Sequence, residues 1–464
     1  STVNIGTPSN NTVTSAILQN GSVIEAKLGV GAVTNAKIAA DAVDGSKITD
    51  DAIGNEHIAS NAVNADSIAA DAVGSSEIAA NAVGASELAD NAVDTAAVAD
   101  NAITQAKLNF PVANRNLIIN GAMQVAQRGT SFTATGDEYT LDRFQHQIGS
   151  LFNGDTTTTQ TDDHPTGFRK SLKITPDSTQ TPIGSGNLVL STQLEGFDVQ
   201  VFAHGSSAAK SMTISFYAKS GSQNDNDVYS IQIRKYDASG NIKYVVKPFT
   251  VTTSWQRFSF TFTGDTATAI ANVNTVGIQV LWQLACGPND LVSETSTWTS
   301  SDKFQGVSGQ NNFMDNTNNE LFLTGVQLEV GSVATDFEHK SFGQELALCQ
   351  RYYYQIGSTN IGSGDYAMLL GYTFNNGLRI AAGFIAPHAM RATPTIAEIG
   401  TGIAGYGQGV NGDIASIFGI VGATDTNWIG FIADGVGSFD WGNDKFPIAL
   451  TNKGGGGISF SSEL

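Results

Sequence analysis

Between Asn11 and Leu108 the chain repeats every ten residues, ten times over and without an insertion. The decades read NTVTSAILQN, GSVIEAKLGV, GAVTNAKIAA, DAVDGSKITD, DAIGNEHIAS, NAVNADSIAA, DAVGSSEIAA, NAVGASELAD, NAVDTAAVAD and NAITQAKL. Position three is always Val or Ile: Val13, Val23, Val33, Val43, Ile53, Val63, Val73, Val83, Val93 and Ile103. Position eight is always Leu, Ile or Val: Leu18, Leu28, Ile38, Ile48, Ile58, Ile68, Ile78, Leu88, Val98 and Leu108. Unbroken periodicity of this kind marks a stacked, quasi-one-dimensional structure. A five-residue step turns about 140° around an α-helix, so the apolar residues share no helix face and no heptad coiled coil forms. Because five is odd, a continuous strand would throw them to alternate faces. Each decade must therefore turn.

The residue types say where. Position four is usually Thr, Asp, Asn or Gly, as at Asp44, Asn64, Gly74 and Asp94, all acceptable helix N-caps. Positions three and eight then stand at N′ and N4, the two ends of a hydrophobic staple. Glu77 and Glu87 at position seven suit the positive end of a helical turn, whereas Lys27, Lys37 and Lys47 there do not. The reading is a short helical turn followed by an extended link, with a triple β-spiral as the competing geometry. Two hydrophobes and some alanines per decade cannot offset the entropy of ordering ten residues. Such a chain has to wind around identical partners, and three is the expected number. A disordered Ala/Asp/Ser linker would not keep register this long. Four lysines against thirteen acids put a net charge of −9 on residues 1–109, along the outer positions. This segment is read as an oligomeric shaft with those twenty side chains as its core.

None of the 24 Phe, 11 Tyr and 5 Trp precedes Phe110, so packed cores are expected only beyond it. With 41% hydrophobic and 14% charged residues, a wholly disordered chain is excluded. A net charge of −19 repels phosphate backbones, so no nucleic-acid partner is expected. No segment approaches 18 consecutive apolar residues, so no membrane insertion is expected. The opening STVNIGTPSN lacks a basic n-region and an apolar h-region, so no secretory signal is expected. Cys286 and Cys349 show no metal-ligand spacing and read as two buried thiols.

Residues 110–341 are rich in Thr, Ser, Gly and aromatics. Alternating runs at Ser211–Tyr217, Tyr229–Ile233, Lys243–Thr250, Ser254–Thr263, Thr275–Trp282 and Glu320–Val330 read as antiparallel strands. They predict a β-sandwich of jelly-roll type, with long loops at Gly149–Pro165 and Gly287–Phe313. Residues 342–355 read as a short helical connector, with Leu346, Cys349 and Tyr353 on one side and Glu345 and Arg351 solvated or paired. In residues 356–464, short apolar runs between glycine turns (Tyr366–Phe374, Leu378–Ile385, Ala415–Val421, Asn427–Ile432, Pro447–Leu450) predict a further all-β tip domain. The fold class is thus mainly β, arranged as an elongated fibre.

The segments RNLIINGAMQVAQRG, YTLDRF, LTGVQLEVGSVATDFEHKSFGQELALCQRYYYQ, MRATPTI and ISFSSEL resemble bacteriophage tail-fibre and receptor-binding proteins. The AVTNAKIAADAV phrasing of the repeat is similar to their shafts, notably in phages of aquatic and cyanobacterial hosts. The resemblance implies a homotrimeric virion fibre, attached to the tail or another virion protein near residue 1 and assembled in the host cytoplasm. It also implies a middle module like a carbohydrate-binding jelly roll, recognising host polysaccharide or lipopolysaccharide. A purely structural head, neck or collar fibre is the alternative, and a polysaccharide depolymerase a more distant one. It carries no residue-level sugar site onto this chain.

Motif chemistry is sparse. There is no P-loop, no HExxH and no GxSxG in a nucleophile elbow, and the histidines have no i,i+4 pair. No catalytic residue and no cofactor is assigned. Asp162-Asp163-His164-Pro165 gathers ligand-type groups in a loop, read as solvated rather than as a calcium site. Sugar binding needs rings for pyranose faces and amides or carboxylates for hydroxyls. Trp298 in the polar run TSTWTSS leads that search, followed by Tyr406 in a glycine loop and by Trp428 and Trp441. Trp255, opening an alternating strand, is expected in the core.

Overall fold

The computed structural model describes residues 18–60, 62, 63, 68, 78, 82, 83, 114–149, 155–181, 183, 184, 186–357, 366–374, 379–399, 403–407, 410–420, 428–435, 447–452 and 457–464. In the strands at 366–384, 398–399 and 403–457 the backbone alone is described. Two compact units, Ser1–Ala102 and Ile103–Leu464, are taken in turn.

In the first unit the described decades share one conformation. Positions five to seven form a 3-10 turn at Glu25–Lys27, Asn35–Lys37, Gly45–Lys47 and Asn55–His57. The position-seven amide closes it by donating to the position-four carbonyl, at 2.8 Å for both Lys27 to Ile24 and Lys37 to Thr34. Position four is an extended N-cap, and at Asp44 the side chain accepts from the Ser46 amide at 3.0 Å. This is the helical-turn geometry. A second turn joins the decades: the position-two amide donates to the position-nine carbonyl, as from Ala32 to Gly29 at 2.9 Å. Position one at its apex is left-handed, with φ of 79° at Gly21, 75° at Gly31, 60° at Asp41 and 64° at Asp51. The described side chains at positions three and eight are exposed in the single chain, from 38% at Ile48 to 56% at Val43 and Val63. Val13, Val73, Leu88, Val93, Val98, Ile103 and Leu108 lie outside the described residues.

The second unit opens with a two-sheet sandwich. Its strands are β1 (Ser131–Ala134), β2 (Glu138–Tyr139), β3 (Phe144–Ile148), β4 (Thr156–Thr161), β5 (Ser171–Pro176), β6 (Asn187–Glu195), β7 (Met212–Ser220), β8 (Val228–Tyr236), β9 (Ile242–Thr250), β10 (Gln256–Phe262), β11 (Val276–Cys286), β12 (Leu291–Val292), β13 (Thr295–Ser300), β14 (Gly306–Val307) and β15 (Leu321–Val330). One sheet runs β1-β4-β5-β15-β7-β10 and the other β13-β9-β8-β11-β6-β3-β2, while β12 and β14 pair separately. Alternation fills the space between the sheets: Ile214 and Phe216 of β7 meet Ile231 and Ile233 of β8 and Val280 and Trp282 of β11. Phe216 and Trp282 make an edge contact at 5.5 Å across the two layers. The six expected strands are present as β7 to β11 and β15. The reading missed β4 because TTTTQT carries no apolar alternation, and β6 because it is buried on both faces and so does not alternate.

After the sandwich, Ser341 and Gln344 form a capping box on the helix α1 (Phe342–Gln350). Nine strands follow: β16 (Tyr353–Gly357), β17 (Tyr366–Phe374), β18 (Arg379–Ile385), β19 (Thr395–Ile399), β20 (Ile403–Gly407), β21 (Val410–Ile420), β22 (Trp428–Gly435), β23 (Pro447–Asn452) and β24 (Gly457–Ser461). Six close into an antiparallel barrel, β17-β18-β22-β21-β20-β23, which leaves no sheet edge unpaired. The other three form a stem, β16-β24-β19, so the chain enters and leaves the barrel side by side.

Candidate functional site

The polar surface of the sandwich concentrates on the outward face of the seven-stranded sheet. Cross-strand register sets Gln279 beside Arg234 and Gln193, Leu281 beside Gln232 and Ser191, and Gln283 beside Ser230 and Val189. On the next strand Gln145 lies beside Ser191 and Gln147 beside Val189. Six glutamines thus share one face of four adjacent strands. Gln279 donates to Gln147 at 2.7 Å and accepts from the Tyr236 hydroxyl at 3.0 Å, and Gln193 donates to Gln145 at 3.0 Å. Ser191 donates to Gln147 at 2.9 Å. A carboxamide both donates and accepts, as a sugar hydroxyl does, and it takes no part in proton transfer.

Half of this face is covered. The segment from Ser301 to Asn311 crosses β8, β9 and β11, with Val307 packed on Tyr244 and Val246. The Val307 amide donates to Ser230 Oγ at 2.8 Å, the Ser230 hydroxyl donates to Gln310 at 2.5 Å, and Arg234 donates to the Asp302 carbonyl at 2.7 Å. Beneath it, Gln232 Nε2 and Oε1, Gln283 Oε1 and Arg234 Nε are buried without a hydrogen-bond partner. Gln232 and Gln283 are fully buried and Arg234 is 4% exposed. A buried polar group without a partner costs about 1–3 kcal/mol.

At the β8–β9 end an open cleft of about 500 Å³ is lined by Lys235, Asp237, Asn241, Lys243, Ser300 and Asp302, among others. Trp298 stands nearby, on edge strand β13 rather than in a loop. Its indole N–H donates to the Thr263 carbonyl at 2.8 Å, Lys235 Nζ lies 5.1 Å from its ring, and His204 meets it edge-on at 5.4 Å. Half-buried against the core, it has its donor engaged. Burial, reinforced by Lys235, lowers the His204 pKa to about 4. Burial also pushes the Asp265 carboxyl up, but bonds from Lys235 at 2.7 Å and Lys243 at 3.0 Å outweigh it and hold the group well below the usual carboxylate range.

The other proposed rings lie apart from this face. Tyr406 belongs to barrel strand β20 rather than to a glycine loop, and Trp428 opens β22. Trp441 lies outside the described residues. Trp255 corrects the expectation of a core position: it is half-buried on the outer face of the six-stranded sheet. There it donates to Asp163 at 3.1 Å and lies 6.2 Å from Phe322 and 5.7 Å from Lys219 Nζ. Lysines engage both loop carboxylates, Lys170 on Asp162 and Lys219 on Asp163. Among the described residues no three His, Cys, Asp or Glu side chains gather as a metal site. Both cysteines are free and buried.

No protein-family model matches the chain, and no curated protein does. Among solved structures, the enzymatically active domain of bacteriophage CBA120 tailspike protein 4 is similar over 46% of this chain and 21% of its own, at 11% identity and a TM-score of 0.25. The family 11 carbohydrate-binding module of a Clostridium thermocellum cellulosomal cellulase is similar over 45% of this chain and 98% of its own, at 12% identity and a TM-score of 0.24. A xylan-binding domain from Paenibacillus barcinonensis is similar over 48% of this chain and 100% of its own, at 11% identity and a TM-score of 0.25. Likeness at this level assigns the chain no ligand.

Proposed function

We propose that the chain is a subunit of a homotrimeric phage tail fibre, resident in the virion, that holds host-surface glycan without cleaving it. The observation that carries the binding role is the glutamine face. Gln145 and Gln147, half-buried and braced by the buried Gln193, Gln279 and Ser191 bonded to them, present neutral carboxamides side by side, the complement of a polyhydroxylated, uncharged chain. The trimer is supported by the repeat, whose Val and Ile side chains stay exposed on an isolated chain in every described decade. Such a ladder is a liability unless identical copies cover it. Three copies would also give avidity to sugar contacts that are individually weak.

Two measurements on the full chain test this. Light scattering is expected to give a mass near three times 48.5 kDa, falling when residues 1–109 are removed. A glycan array is expected to retain the protein on neutral polysaccharide, with retention weakened about tenfold by Gln147→Ala, which removes a half-buried carboxamide from the face. A full chain that is already monomeric, and that loses only the mass of the deleted residues, would sink the fibre. An array left blank by a well-folded trimer would leave a purely structural spacer.

A further inference from the structure

We propose that residues 301–311 are a displaceable strap, and that the sheet face beneath them, between Gln232, Arg234 and Gln283, is a groove for an uncharged sugar strand. This rests on the glycan reading above and extends its site under cover. The strap supplies in part what a sugar would: a main-chain amide and a carboxamide on the Ser230 hydroxyl, a carbonyl for Arg234, and the Phe304 ring 4.6 Å from the Arg234 guanidinium. It leaves the rest of the groove unserved. Gln232 retains both a free donor and a free acceptor, Gln283 a free acceptor and Arg234 Nε a free donor, all on neighbouring strands. An adjacent donor and acceptor on one carboxamide match two neighbouring hydroxyls of a pyranose.

The strap is fastened mainly by isolated polar contacts, among them Lys303 on Asp290 at 2.8 Å. Its own sheet is a two-residue pairing, Leu291 with Gly306 and Val292 with Val307. Beyond that, its main chain is held by Ser301 donating to the Ile242 carbonyl at 3.2 Å, Ser308 to the Val292 carbonyl at 2.7 Å and Asn311 to the Val228 carbonyl at 2.8 Å, and by the bonds with Ser230 and Arg234 given above. Short pairings open locally before the molecule unfolds, here against the burial of Gln305 and Val307. Cys286 lies under this segment, its Sγ 3.8 Å from the Phe304 carbonyl, and a Cβ added at Gly306 would come within 2.9 Å of Cys286 Cβ. Its thiol therefore reports whether the strap lifts, with Cys349, buried in α1, as the reference.

The test uses the full chain and two readouts. Labelling with a disulfide reagent in native buffer is expected to modify Cys286 at least tenfold faster than Cys349; equal rates, both tracking global unfolding, would overturn the strap. Binding to dextran, xylan and mixed-linked β-glucan is expected to weaken at least tenfold in Gln232→Met, with a melting temperature equal to or above that of the unaltered chain. Gln283→Met serves as a second variant should the first fail to fold. Equal binding by the variant would overturn the groove alone and leave those atoms to water. No binding by the unaltered chain to any of the three would overturn the glycan reading, and the groove with it.

Discussion

His146 sits buried in β3 with Nε2 2.7 Å from the Thr156 hydroxyl, and burial lowers its pKa to about 4. His204 is lowered as far, by burial and then by Lys235. In the unfolded chain both protonate near 6.5, so between that pH and about 4 the unfolded state binds more protons and stability falls as pH falls. Each histidine should cost about 2 kcal/mol at pH 5 relative to pH 8. Asp142 and Glu345, whose carboxyls burial pushes up, oppose that slope. Urea midpoints at pH 7 and pH 5 are expected to differ, and His146→Gln should remove part of the difference; an unaltered slope in the variant would assign it elsewhere. Single residues of this kind were poorly legible in sequence. The glutamines of the candidate face look like ordinary outward residues of alternating strands until register brings Gln145, Gln193 and Gln279 together. Trp298 and Trp255 are both half-buried, one against the core and the other on an outer face. Polar neighbours along the chain do not say which side of a strand a ring leaves from, nor that Asp163 waits across a sheet for Trp255.

Among elements, the ten-residue repeat was the most legible, and its second turn the least. Position one is Asn11, Gly21, Gly31, Asp41, Asp51, Asn61, Asp71, Asn81, Asn91 and Asn101, always one of the three residue types that tolerate a left-handed backbone. That regularity was present beside the apolar one and would have placed the turn. It also gives a test. Asp41 holds φ at 60°, a conformation costing about 1 kcal/mol or more for a residue with a Cβ. Asp41→Gly is expected to raise the stability of the repeat, and Asp41→Val to lower it by about 1–2 kcal/mol per chain, read from thermal melts by far-ultraviolet circular dichroism. Equal melts for the two variants would exclude a left-handed residue there. The distal strands were also legible, since Tyr366–Phe374 was expected with the bounds it has. Closure into a barrel was not, because pairing β17 with both β18 and β23 joins segments about seventy residues apart on one side and leaves no local mark.

At the scale of the molecule, the segments that carry the resemblance meet in one place, with Arg143 of YTLDRF donating to the Gln193 carbonyl at 2.6 Å. Gly121 of NGAM receives the Val326 amide of LTGVQ at 2.9 Å, so close that a Cβ there would strike the Val326 carbonyl at 2.1 Å. Arg351 pairs with Glu195 through two bonds of 2.8 Å, and Arg391 of MRATPTI donates to the carbonyls of Asn274, Ser462 and Glu463. Glu463 of the closing SSEL lies between Arg143 of YTLDRF and Arg128, the latter at 2.9 Å, with Arg143 1% exposed. The strand leaving the barrel is therefore locked back onto the sandwich, and force on the barrel passes through the three strands of the stem and an ionic clasp rather than a single linker. Removing one member of a buried ion pair leaves the other charged and desolvated, at a cost of about 3–5 kcal/mol. Glu463→Ala is accordingly expected to lower the melting transition reported by sandwich tryptophans such as Trp282, and to speed amide exchange in β24, in one cooperative step. Faster exchange confined to β24, with the sandwich melting as before, would make the clasp a local fastening and the barrel a separately hung module.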